Sequence, residues 1–194
     1  MTDHLAERIE MLLTRLRTSY DGIGHSSGRP YIYFVYPPKE HLALRRLVDE
    51  RLQSDASLCF HPIDLLRVTV AATQGQEERR RELLEDPRSP GAGGDILRVW
   101  TRRLIKVATA ALDLPGTAGR PVILLSGLAA LHPLTNPTAL MESIAEHEPR
   151  DPASGRIVPI VLLVPGLRPP QTSRQYRFLG LAERTLSFYR GEEL

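Results

Sequence analysis

The sequence predicts an α/β protein: a three-layer sandwich on a central, mainly parallel sheet. Two apolar runs, residues 122–125 and 157–164, lack the alternation of a half-solvated strand, so each reads as a strand buried on both faces. A short helical pattern separates them, which implies a right-handed parallel crossover. Upstream, strand-like segments again alternate with helical ones. The loops at 126–133 and 165–170 therefore leave the carboxyl ends of their strands, on the rim where such sheets usually bind ligands.

Each element has its own signal. Residues 3–16 place Leu5, Ile9, Leu12, Leu13 and Leu16 at helical spacing, with Thr2 or Asp3 able to cap the first turn. Residues 21–28 form a glycine- and serine-rich, flexible turn. Tyr31–Tyr36, β-branched and aromatic, is the first strand, and Pro37-Pro38 ends it. Residues 39–53 repeat apolar side chains at Leu44, Leu47, Val48 and Leu52, giving a helix after that strand. A second strand is expected at 57–61. Pro62 or Asp64 then opens a helix through Leu65, Leu66, Val68, Val70 and Ala71. The Glu- and Arg-rich stretch 76–85 reads as its solvated continuation. Residues 87–94 break the pattern, so a flexible loop is expected around 86–94. Asp95 caps a helix burying Ile96, Leu97, Trp100, Leu104, Val107, Ala108 and Ala111, and Pro115-Gly116 ends it. Residues 166–173 form a loop, and 185–190 alternate like a last, edge-side strand.

With 194 residues, 42% hydrophobic and 25% charged, the chain suits one soluble domain spanning 1–194. Its 25 basic residues nearly balance 23 acidic ones, so charge alone gives little reason to expect nucleic acid. The lone Cys59 can form no intrachain disulfide and has no second thiol for a paired-thiolate zinc site. The first residues lack a long apolar segment. A cytoplasmic protein with no membrane partner is expected.

Catalytic signatures are missing or misplaced. Gly22 to Gly28 carries one residue too many for a dinucleotide fingerprint and precedes a strand. Gly91-Ala-Gly-Gly-Asp95 precedes a helix, but no Lys-Ser or Lys-Thr follows it. A nucleotidase would carry paired acids after an apolar strand to hold magnesium; Ser126-Gly127 and Pro165-Gly166 stand there instead. The architecture is thus Rossmann-like or P-loop-NTPase-like without a phosphate-binding loop, and no cofactor, metal or catalytic residue is expected. None of the six histidines makes a helical i, i+4 pair. Ser126 and His132 share the rim, yet no Gly-x-Ser-x-Gly elbow surrounds the serine. Cys59 and His61 touch only if both lie on one strand face, and a core thiol is the default. For nucleic acid, the cluster at Arg79, Arg80, Arg81 and Arg88 is interrupted by glutamates. The stronger candidate is Arg98, Arg102 and Lys106, a basic stripe at i, i+4 and i+8 suited to phosphate or an acidic partner.

Several segments, taken in order, resemble the BrxB proteins of bacteriophage exclusion (BREX) defence systems, and the resemblance covers most of the chain. It rests on Arg-Pro-Tyr-Ile-Tyr-Phe-Val-Tyr-Pro-Pro-Lys-Glu at 29–40 with its following helix, and on Leu-Ser-Gly-Leu-Ala-Ala-Leu-His-Pro-Leu at 125–134 leading to Ala139-Leu140. Pro-Ile-Val-Leu-Leu-Val-Pro-Gly at 159–166 and Tyr-Arg-Phe-Leu-Gly-Leu at 176–181 complete the set. Val164 stands where that family has an aromatic, and Phe188-Tyr189-Arg190 replaces its Tyr-Tyr-Arg ending. The resemblance implies an accessory or adaptor subunit of an antiviral system that also holds a methyltransferase, a large ATPase and a phosphatase-fold protein called PglZ. A PglZ-like protein is the partner it points to first, with other BREX components possible and no catalytic residue set implied. The alternative is a nucleotide- or DNA-binding module of the same system.

Overall fold

All six residues of β1 (Tyr31–Tyr36) are buried, which requires cover on both faces of the sheet. The computed structural model describes residues 2–25, 27–86, 91–114, 118–169 and 174–194. In it β1 lies within a parallel set ordered β2 (Leu58–Asp64), β3 (Arg120–Ser126), β4 (Ile160–Leu167), β1, β7 (Glu192–Glu193). Tyr31 pairs with Ile160 and Tyr36 with Pro165, while Ile123 to Leu125 pair with Ile160 to Leu162. The two apolar runs are therefore parallel neighbours, as expected.

Alternation along the strands divides the core. Ile32, Phe34 and Tyr36 meet α1 (Thr2–Thr18) and α2 (His41–Arg51), joined by Phe60, Leu124 and Leu163. Tyr31, Tyr33 and Val35 face the opposite layer, α3 (Leu65–Thr73), α5 (Ala92–Leu112) and α6 (Pro137–Ile144). This is the three-layer sandwich. α4 (Glu77–Glu85) is a separate helix and not a continuation, because the chain turns at Gly75 with φ of +76°. β5 (Gln175–Phe178) pairs antiparallel with Gly166 and Leu167, and β6 (Thr185–Ser187) pairs with β5.

Several expected boundaries move. β4 starts at Ile160, and Ile157 forms only an isolated bridge with Arg150. Pro165 and Gly166 belong to β4 and not to a loop, since β5 extends the pairing beyond the parallel part. β2 runs on through Pro62 to Asp64, which caps α3 by accepting the Leu66 N–H at 3.0 Å. α5 begins at Ala92, so Asp95 lies inside its first turn instead of capping it. β6 is only three residues long and sits outside the parallel set. The turn at 21–28 is locally tied, with Gly28 N–H bonding Gly24 O at 2.7 Å. The Pro115-Gly116 stop, residues 87–90 of the expected loop and residues 170–173 lie outside the described residues. So do the side chains of Thr2 and Asp3.

Candidate docking site

α3 carries more apolar residues than one buried face can use. Leu65 and Val68 enter the core, while Leu66 and Val70, one turn apart, remain 54% and 59% exposed. α4 adds Leu84, 44% exposed. The Arg80 guanidinium donates to the Thr73 hydroxyl at 3.0 Å and so fixes α4 against α3. Between these helices and the segment 130–134 lies a groove of about 560 Å³, with Trp100 at its floor and Ala130, Pro133 and Leu134 on its far wall.

The floor and walls are held by local chemistry. Gly127 adopts φ of +69°, which turns the chain from β3 into a short 3-10 helix, Leu128–Leu131, that buries Leu128 and Leu131. A Cβ at Gly127 would lie 2.2 Å from the Asp64 carboxylate that caps α3, so the groove's two walls meet at this glycine. Trp100 is 4% exposed and its indole nitrogen has no hydrogen-bond partner among the described residues. The Glu77 carboxyl, beside the groove, is held below its ordinary range by backbone N–H groups, its own and that of Gly75.

The other sequence-derived candidates are placed as follows. Arg98, Arg102 and Lys106 all lie on the exposed side of α5. Arg98 pairs with Asp95 at 3.3 Å, whereas Arg102 and Lys106 have no ion-pair partner among the described residues. Arg98 and Arg102 each stand two residues, about 200° around the helix, from Trp100, so the stripe and the groove face different ways. His132 lines the groove, but Ser126 points its hydroxyl toward Ile63 O at 3.5 Å and is not among the lining residues. Cys59 and His61 do share a face, with Sγ 3.5 Å from Nε2. Both are buried, and burial lowers the His61 pKa, so the imidazole is held neutral. Among the described residues no three His, Cys, Asp or Glu side chains gather to hold a metal. No helix among them is long and apolar enough to cross a membrane.

Sequence reading did not single out Leu66, Val70 and Leu84 as surface residues. The available signal was α3 itself, apolar at positions 65, 66, 68, 70, 71 and 72, which is wider than one helix face. Fold and surface together define a class: an α/β sandwich that displays an apolar groove on one helical layer. No family model, curated protein or solved structure matches the chain.

Proposed function

We propose that this protein is a non-catalytic adaptor of a BREX-type antiviral system, and that it binds a PglZ-like phosphatase-fold protein through the α3/α4 groove. The observation that carries the reading is the exposure of Leu66, Val70 and Leu84 around one cavity. Side chains of this size contribute roughly 1.5–3 kcal/mol each when fully buried, so completing their burial against a partner is a substantial driving force. The system and the partner are taken from the sequence resemblance.

The test is co-elution of the purified protein with the PglZ-like protein on size exclusion. The wild type is expected to co-elute and to shift the emission of its single tryptophan, Trp100. Leu66→Asp/Val70→Asp, both at exposed positions, is expected to fold normally and to lose the complex. No complex with any system component overturns the adaptor role, and an undiminished complex with the double variant overturns the groove as its site.

A second reading is favoured by Arg102 and Lys106, exposed and without an ion-pair partner among the described residues: DNA binding along α5. It requires a steep salt dependence of affinity that flattens in an Arg98→Ala/Arg102→Ala/Lys106→Ala variant. Absence of binding at low salt removes it.

A further inference from the structure

The carboxyl ends of β1 and β4 are neighbours in the sheet, yet the chain leaves them toward opposite faces. β1 leads to α2 on the α1 layer, and β4 turns into β5, whose Tyr176 and Phe178 pack in the α5 layer. Such a switch point opens a crevice, and open α/β sheets bind ligands there. Here the crevice measures about 390 Å³, within the usual range for small-molecule sites.

Its walls separate chemically. Leu5, Met11, Val35 and Leu167 supply an aliphatic side. Arg8 forms a fixed cationic wall: its guanidinium lies 4.4 Å over the Phe34 ring, donates to Val35 O at 2.7 Å, and donates to Leu194 O. At the β4 end, Arg168 pairs through Nε with Glu193 and leaves both terminal nitrogens without a hydrogen bond among the described residues. At the β1 end, Glu40 lines the crevice and its carboxylate makes no hydrogen bond or ion pair among the described residues. An arginine with two open terminal nitrogens, its Nε held by Glu193, and a carboxylate that feels the nearby Arg8 only through space thus stand at the two strand ends, with aliphatic surface beside them.

We propose that this crevice binds a short zwitterionic peptide with aliphatic side chains, its carboxylate on the Arg168 terminal nitrogens and its ammonium on Glu40. A simple anion fits less well, because Glu40 and Glu193 offset the two arginines. A nucleotide base finds no Phe, Tyr or Trp among the described lining residues to stack upon. Paired charges fix orientation and the aliphatic wall supplies the apolar contact, the usual division of labour in small-molecule sites.

Isothermal titration of the full chain with the dipeptide leucyl-leucine tests this, with its N-acetyl and C-amide forms as probes that each lack one charge. The unmodified dipeptide is expected to bind, and each blocked form to bind at least about tenfold more weakly, a change of about 1.4 kcal/mol. Glu40→Gln should weaken the dipeptide while leaving the N-acetyl form unchanged, and Arg168→Ala should do the same for the dipeptide and the C-amide form. Arg168→Lys retains the charge and should recover part of the affinity. Leu167→Trp, at a 42% exposed position, should close the mouth and abolish binding without unfolding the chain. No heat at millimolar dipeptide, equal binding of a blocked form, or dipeptide affinity unchanged in both Glu40→Gln and Arg168→Ala overturns the proposal.

Discussion

The contact between Gly127 and Asp64 ties two walls of the docking groove at a single point. Replacing Asp64 by Ala removes the α3 cap and is expected to cost about 1 kcal/mol in urea unfolding. Gly127→Ala places a methyl group against the cap and strains a left-handed residue, an expected loss of about 1–3 kcal/mol. The double variant should lose less than the sum of the two, because the methyl then meets a shortened side chain; strict additivity would disprove the contact. His61 supplies a pH dependence. Burial lowers its folded pKa, so the unfolded chain takes up more protons as pH falls through the ordinary histidine value near 6.5, and stability declines with acid. Asp55 and Asp151, whose carboxyls hydrogen bonds hold low, lose their contribution only below about pH 4. Glu193, raised by burial, acts in the opposite sense just above its ordinary range. The informative comparison is therefore wild type against His61→Gln between pH 7.5 and 5.5, where the wild type should lose more stability. Asp64 as a cap was legible in the sequence, since a carboxylate directly precedes an apolar helix. The role of Gly127 was not, because its partner is 63 positions away and meets it only through the parallel pairing of β2 and β3.

At the scale of elements, the edge strand β2 explains a proline that sequence reading placed at a helix start. Its outward N–H groups alternate along the strand and the first three positions are closed to another strand: Leu58 donates to the Asp55 carboxylate at 3.0 Å, Phe60 donates to the Ser54 hydroxyl at 2.9 Å, and Pro62 has no N–H. This blunts the edge against pairing with a second chain. Ser54→Ala/Asp55→Ala/Pro62→Val restores three free donors and is expected to give concentration-dependent association by light scattering, with the single variants intermediate. If the triple variant stays monomeric, the edge is protected by something else. The long elements were legible because burial wrote itself into composition, as in β1, β3, α1 and α5. β5 and β7 were missed for a physical reason. Gln175–Phe178 is short and carries only two buried side chains, and Glu192–Glu193 has no apolar residue at all. β5 is a strand through its pairing and β7 through pairing and ion pairs, which no local pattern reveals.

For the whole molecule, the last two strand residues close the other side of the sheet. Two arginines from distant parts of the chain hold them, Arg15 pairing with Glu192 at 3.0 Å and Arg168 with Glu193, and a third, Arg8, donates to the O of Leu194 that follows. Leu194 N–H in turn satisfies Tyr33 O at 3.1 Å, so the outer edge of β1 is covered. Gly191 allows the close approach, since a Cβ there would lie 2.6 Å from the Tyr33 ring. β2 is thus blunted at one side of the parallel set, and β7 is clamped at the other. A variant ending at Gly191 should release three arginines and expose the β1 edge. Its expected behaviour is a lower Tm, by several degrees for a loss of about 1–2 kcal/mol, together with dimerisation seen by size exclusion with light scattering. Arg15→Ala should show part of the Tm loss without the dimer, because it weakens the clamp and leaves the strand in place. A truncated chain that stays monomeric with an unchanged Tm would show that β7 neither stabilises the sheet nor guards its edge.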